Sequence, residues 1–538
     1  MAGPAPSPET VVAIKKKATG EDNNQVKELL SQFASFSASE QENARPSFVK
    51  NVFPLVFRDK VFVQGSSDYE LQRQIPWSMD CWLSPLIIIT PLTSQHVAAA
   101  LSLCVFFRTK FSVRGGGRLN HPGANSNDGG VVISLVEFNQ LQLSTDKRTA
   151  YIGVGLRWLD VYKALEPHGL AIAGGRVPKV GVPGLILGAG ISFQNSQYGI
   201  GAMGVVNYEI VLADSRIINA NAHENPDLFW ALKGGGPNFG SSNPLTSLSP
   251  FSARQAPSNN SSHTRNRNET EMLTVPNHIW CKARVYPLTA YDSLIASLMQ
   301  YHDAIESNDK ATLIWYSNDT AILLVLVYCS PDFESADGKN SSAPAPAVFG
   351  PFLDMPSLQS LVAQGVRTVY DLAQGIADVV STEAKLYEFR TMSSHPSLKL
   401  YKAIDQARAE QTASLYDVEG IPITAVFQPM SSLAMQKSAD SPLGLDPVGQ
   451  QWFLAMGECK HSTDEARVRD AIKKIVDIAE STAREDVVWL RYKYTNYAAR
   501  DQDALGSYGA KNVERLKEIA SRYDPKSVFQ DLQGRLDG

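Results

Sequence analysis

The chain has 538 residues, 43% hydrophobic and 20% charged, with a net charge of −5; that is the composition of a packed protein too large for one hydrophobic core. The mild acidic excess argues against nucleic acid and anionic membrane as partners, and no run approaches the roughly 18 apolar residues that span a bilayer. Five cysteines, at 81, 104, 281, 329 and 459, are too dispersed for a disulfide framework or a zinc cluster, and the N-terminus lacks an apolar leader, so a cytoplasmic location is expected.

Residues 1–50 are polar and rich in Ser and Glu, with one amphipathic piece at Val26, Leu29, Leu30 and Phe33. They predict an arm that is loose apart from one short helix. From there to residue 240, β-rich runs at 85–90, 111–113, 131–135 and 150–154 alternate with helical patterns after Thr93 and over 158–165. Asn225-Pro226-Asp227 reads as a helix opening, with Asn as cap, Pro at the first position and Asp against the dipole. Residues 241–276 have no apolar period and too little buried surface to offset their ordering entropy. They predict a disordered surface insertion, or a stretch foreign to the mature protein. Strands are then expected at 279–286, 313–316, 321–328, 385–389, 423–427 and 452–459. Helices near 290–305, 357–373 and 463–481 would back them. The fold class is therefore α+β, with an antiparallel sheet in the second half. A second apolar-poor linker covers 335–346. A last helix over 511–522 turns Val513, Leu516, Ile519 and Ala520 inward and is stopped by Asp524-Pro525.

Three glycine-rich stretches carry the chemistry. Ser112-Val-Arg-Gly-Gly-Gly-Arg118 runs a strand into consecutive glycines, whose backbone N–H groups can turn onto a diphosphate. Gly174-Gly-Arg-Val-Pro-Lys-Val-Gly-Val-Pro-Gly-Leu-Ile-Leu-Gly-Ala-Gly190 interleaves glycine with branched apolar residues, which suits backbone pressed on a flat ring. Lys233-Gly-Gly-Gly-Pro-Asn-Phe-Gly240 is the third. The one literal G-x-G-x-x-G, Gly199 to Gly204, leads into a strand rather than a helix, so a Rossmann site is disfavoured. There is no Walker lysine, no H-E-x-x-H and no C-x-x-C, so no metal is expected.

The ordered run PLTSQHVAAAL, FSVRGGGRLNHPG, AYIGVGLRWLDVYKAL, GLAIAGGRVPKVGVPGLILGAGIS, YEIVLADSRIINA and ENPDLFWALKGGGPNFG resembles the FAD-binding domain of the vanillyl-alcohol-oxidase superfamily, the PCMH-type fold. Tyr494-Thr-Asn-Tyr497, with Ser507 to Asn512 and Tyr523-Asp-Pro, resembles the closing segment of its berberine-bridge-enzyme-like branch, as found in fungal FAD-linked oxidoreductases of secondary metabolism. The resemblance implies a two-part FAD-binding domain over 51–240, the polar insertion at 241–276, and a return strand at 277–288. A substrate domain follows over 289–484, its antiparallel sheet backed by helices, and a C-terminal segment over 485–538 rejoins the cofactor domain.

It further implies that Arg114, Gly115, Gly116, Gly117, Arg118 and Asn120 hold the FAD diphosphate. Val180, Gly181, Gly184, Gly188, Gly190 and Ser192 would lie along the flavin and ribityl chain, Ile210 would meet the adenine, and Asn496 would bond the flavin or orient its neighbours. Departures from the family pattern matter here. The histidine that anchors flavin in many members is replaced by Arg118, and the second anchor, a cysteine, by Val177. His121 lies about 10 Å further along extended chain, too far to substitute. Non-covalent FAD is expected, with Arg118 free to face the phosphates. Met203-Gly204 replaces an acidic and amide pair, and the insertion follows Gly240 directly. Tyr494 and Tyr497 are the candidate catalytic bases. The expected activity is an oxidase or dehydrogenase. Its small-molecule substrate would be an alcohol, phenol or polyketide-like intermediate, with molecular oxygen as acceptor. A sugar or hydroxy-acid oxidase and a catalytically impaired flavin-binding paralogue are the alternatives.

Overall fold

A computed structural model describes residues 7–19, 24–237, 269–330, 343–379, 383–420 and 423–533. The N-terminal arm is not loose. It forms three helices, Pro8–Thr19, Asn24–Ser35 and Ala38–Phe57. The third opens with a capping box that sequence reading passed over: Ser37 caps Glu40 N, and the Glu40 carboxylate accepts from Ser37 N at 2.8 Å. Val26, Leu30 and Phe33 are buried, and the Phe33 ring meets Phe107 edge-on at 4.9 Å. The apolar stripe therefore closes over helix Ser94–Phe107 instead of trailing in water.

That helix starts at the Thr93 cap, whose hydroxyl accepts from His96 N at 3.1 Å. It carries the chain from strand Ile87–Ile89 to strand Phe111–Arg114. Both strands lie parallel to Val131–Ser134, and Val61–Val63 closes the sheet antiparallel to Ile87–Ile89. A continuous β-branched run suits strands covered on both faces. The C-terminus returns to this sheet, where Phe111 N donates to Leu532 O at 2.8 Å.

The second sheet is antiparallel, in the order Leu141–Leu143, Thr149–Gly153, Glu269–Pro276, Val205–Val211 and Ile217–Asn221. Leu170–Ile172 also pairs with Glu269–Pro276. Here two expectations are corrected. The return strand is Glu269–Pro276, which the sequence reading had assigned to the insertion, and it is the sheet's hub. His278–Tyr286, expected to return, belongs instead to the third, eight-stranded sheet. Asn277 alone separates the two strands. The remainder of the insertion, 241–268, lies outside the described residues, as does most of the second linker. At the expected helix opening, Asn225 makes no capping bond; it sits at φ 51° and donates to Asn219 O, while Pro226–Ala231 is helical.

The third sheet has eight antiparallel strands: Gln359–Thr368, His278–Tyr286, Ile322–Cys329, Ala311–Ser317, Thr424–Met430, Gln450–Cys459, Leu386–Ser394 and Trp489–Leu490. Helices Tyr291–Ile305, Leu398–Ala413 and Glu465–Glu485 back it. The predicted helix at 357–373 is a strand followed by helix Val369–Val379. Period-2 alternation divides the sheet's residues between two cores. Leu313, Trp315, Phe427 and Phe453 pack with the backing helices. Ile314, Val426 and Leu454 pack into the core shared with the second sheet, and Tyr316 lies against it. Among the described residues no helix is long and apolar enough to cross a membrane, and no His/Cys/Asp/Glu group could hold a metal ion.

Candidate functional site

The first two glycine stretches, about sixty residues apart, meet backbone to backbone. A Cβ at Gly116 would lie 2.4 Å from the Gly181 nitrogen, and one at Gly181 the same distance from the Gly116 nitrogen; neither position tolerates a side chain. Gly115 faces the Pro183 ring and Gly117 takes φ +64°, so glycine is required for the turn as well. Gly174 and Gly175 have another purpose. Their missing side chains leave room for the Trp158 indole. Gly184 borders open space, whereas Gly188 is covered by the Asn496 amide.

Charge gathers at the same place. Arg114 is fully buried, and its Nε and Nη1 have no hydrogen-bond partner; its Nη2 reaches Gln72 Oε1 at 3.4 Å. Arg118 stacks on the Trp77 ring at 4.1 Å, and its Nε is likewise unpartnered. Burial, then the neighbouring Arg157, pushes both guanidiniums down to about 10. Arg157, which sequence reading missed, donates to the Lys179 carbonyl, and burial lowers it too. Unpaired cations at a glycine-lined turn are the complement of a doubly charged phosphate group, so these residues fit the diphosphate of FAD. The positions expected to correspond to flavin anchors carry no nucleophile. Arg118 lies on Trp77, Val177 is a hydrocarbon, and His121 Nε2 is held by the Ala498 carbonyl at 3.1 Å.

The other predicted cofactor residues are distributed unevenly. Val180 lies at the junction of the stretches, its carbonyl accepting from Trp158 N at 3.1 Å. Gly190, at φ +79°, turns the chain beside Leu185. Ser192 accepts from Gln194 N at 3.0 Å, and Ile210 is a core strand residue paired with Ile218. Asn120 is engaged elsewhere, donating to the Tyr387 carbonyl at 2.9 Å and so tying the loop to the substrate sheet. Asn496 Nδ2 lies 3.0 Å from Leu185 O, 3.1 Å from Gly188 O and 3.0 Å from Tyr494 Oη. It fixes the second stretch from outside.

The two candidate tyrosines separate. Tyr494 is buried, stacks on Trp452 and accepts from Asn496; burial raises its phenol well above the ordinary range. Tyr497 is only part-buried, with its ring edge-on to Tyr494 at 4.7 Å and to Phe389 at 6.4 Å. Its oxygen accepts from Arg176 Nη2 at 3.1 Å, and the same guanidinium donates to Gln428 Oε1. Because the Tyr497 oxygen is an acceptor there, its own proton points elsewhere. Tyr316 is nearby, its phenol raised by burial and partly offset by Arg176. Arg176, Gln428 and Tyr316 were not identified from sequence. Strand alternation signals two faces without saying which one meets a cofactor domain, and Arg176 is hidden among glycines.

Residues 85–221 match the family model described as FAD binding domain, and residues 493–534 the one described as berberine and berberine like. An FAD-dependent monooxygenase of Arthrobotrys oligospora is 30% identical over 511 residues, 93% of this chain and 92% of that protein. Among solved structures, 6-hydroxy-D-nicotine oxidase from Arthrobacter nicotinovorans is similar with a TM-score of 0.71 and 18% identity, over 90% of this chain and 99% of that one. Glucooligosaccharide oxidase from Acremonium strictum, described with a 6-S-cysteinyl, 8α-N1-histidyl FAD, has a TM-score of 0.67 at 18% identity, over 87% and 95%. The two-layered glycine cradle, its unpaired arginines and the near full-length similarity place the chain in one family: it belongs to the FAD-linked oxidoreductases of the vanillyl-alcohol-oxidase superfamily, in their berberine-bridge-enzyme-like branch.

Proposed function

We propose that the protein binds FAD without a covalent link and oxidises a small alcohol, phenol or polyketide-like intermediate of secondary metabolism, with molecular oxygen as the final acceptor. The observation that carries this reading is Tyr497, a part-buried phenol whose oxygen accepts from a buried arginine between the glycine cradle and the substrate sheet. When bound, FAD supplies the acceptor for a hydride from a substrate C–H bond. The chain's residues do the remaining work. Arg114 and Arg118, supported by Arg157, neutralise the diphosphate, and Gly115 to Gly117, Val180, Gly181, Gly184, Gly188, Gly190 and Ser192 shape the backbone around the cofactor. The strand backbone at Ile210 would meet the adenine, and Asn120 holds the loop in register with the substrate sheet. Tyr497 exchanges the substrate's hydroxyl proton, and Arg176 keeps its ring in place. Tyr494, buried and bonded to Asn496, positions rather than reacts.

The anchor positions support non-covalent binding, since neither Arg118 nor Val177 offers a group that bonds the ring. Acid precipitation tests this directly: flavin is expected in the supernatant, and a yellow pellet refutes it. The relative's name, monooxygenase, supplies the second reading. A product lighter by two hydrogens supports dehydrogenation; one heavier by an oxygen atom supports oxygen insertion.

A further inference from the structure

Arg176 is buried, at 7% exposure, yet its two hydrogen bonds go to neutral oxygens, those of Gln428 and Tyr497. Two buried arginines outside the glycine cradle are treated differently. Arg408 meets the Asp405 carboxylate at 2.8 Å and Arg390 pairs with Asp501. A guanidinium has five N–H donors, and burying its charge without an anion is costly. Beside it lies a second unsatisfied donor. Gln428, at 1% exposure, gives its Oε1 to Arg176, and its Nε2 is buried with no partner. Two donors, one of them charged, thus lie side by side next to Tyr497, on the sheet face that also carries Tyr316. The place is set by topology. Gln428 follows Phe427 on strand Thr424–Met430, and since Phe427 packs with the backing helices, Gln428 faces the cofactor domain. Arg176 stands one residue before Val177, at the boundary of the glycine cradle.

We infer that Arg176 and Gln428 form a subsite for an anionic oxygen carried on a trigonal carbon, so that the substrate is an acid, presenting a carboxylate or an ionised enol or phenol. The planar guanidinium fork and an adjacent amide N–H match such an oxygen or oxygen pair. The inference rests on the proposed function, because it assigns the chemistry of the substrate bound beside Tyr497. It also separates this site from one for neutral sugars, which would supply hydroxyl groups and leave the charge uncompensated.

The holoenzyme tests it with benzoate and benzamide, isosteric probes that differ in charge, titrated against the visible flavin spectrum. Benzoate is expected to bind about tenfold or more tightly than benzamide. In Arg176→Gln that preference falls to about one, and in Arg176→Lys it is intermediate, because charge remains while the fork is lost. Equal binding of the two probes by the unaltered protein overturns the subsite without any variant. A preference that survives in Arg176→Gln overturns it as well. Failure of the underlying reading looks different: a correctly folded preparation that takes up no FAD refutes the proposed function and this subsite with it, whereas a yellow protein blind to the probes' charge refutes the subsite alone.

Discussion

Replacing Arg114 with Met should make the empty protein more stable and its hold on FAD weaker, a pair of opposite signs that few structural arginines would give. Arg114 is fully buried without an ion pair among the described residues, and its guanidinium is pushed down from its ordinary value to about 10 by burial and by Arg157. That depression corresponds to about 3 kcal/mol. Because the folded-state value lies below the unfolded one, the penalty is present in full at pH 7, where both states are protonated. It fades only as pH climbs past about 10. Methionine removes the charge and keeps much of the side-chain volume. Losing the long bond to Gln72 offsets about 1 kcal/mol, so about 2 kcal/mol is gained. For a unit of about 200 residues that raises the apoprotein's Tm by roughly 4–8 °C. With FAD present the variant lacks one charge-assisted contact, worth about 1.5–3 kcal/mol, and Kd should rise about 10- to 150-fold. Calorimetry of apo and loaded protein, with FAD titrated by fluorescence quenching, measures both. An apo variant that melts lower than the parent and binds FAD equally well would refute the reasoning.

Gly181→Ala should cost about 1–3 kcal/mol, because its Cβ meets the Gly116 backbone on a path with no flexible side chain to yield. Gly184→Ala, bordering open space, should leave apoprotein melting unchanged while reducing FAD uptake; equal effects of the two substitutions on melting would contradict this. Tyr497→Phe is expected to lower kcat at least about a hundredfold with flavin content unchanged. Tyr494→Phe should instead act by loosening Asn496, seen as flavin loss; the reverse pattern would exchange their roles. Deleting 241–268 should give a folded yellow protein. Deleting 241–276 also removes strand Glu269–Pro276, with buried Met272, and should give insoluble material; equal solubility would show that strand to be dispensable.

What the sequence disclosed and what it hid follow from the range of the interactions concerned. The strands Ile87–Ile89 and Val131–Ser134 and helix Trp158–Leu165 were legible because β-branched runs and helical spacing are local signals. The glycine cradle was legible for a similar reason, since exclusion of a Cβ leaves its mark at the position itself. Strand Gln359–Thr368 was not: it is an edge strand, largely exposed over its first half, so burial imposes little alternation on its sequence there. The return strand was missed because its eight residues directly adjoin a long polar run, so composition averaged over the window concealed it. Arg157, Arg176 and Gln428 could not have been found, because each matters through a partner remote in sequence: Gln428 lies 252 residues from Arg176.

The C-terminal segment explains how the halves of the site act together. The glycine cradle comes from loops of one part of the chain, and Tyr316 and Gln428 from the eight-stranded sheet, so a shared segment must fix one against the other. Residues 494–502 do this along their length. Asn496 grips the carbonyls of Leu185 and Gly188, Tyr497 meets Arg176, and the Ala498 carbonyl holds His121. Arg500 reaches Asp80, and Gln502 bonds both backbone groups of Thr391 on the substrate sheet. On the proposed non-covalent binding, the cofactor's position depends on this segment and on the charge of the arginines. Changes in 494–502 should therefore disturb flavin retention and turnover together, whereas changes on the sheet face at Tyr316 or Gln428 should alter substrate choice and leave the flavin in place.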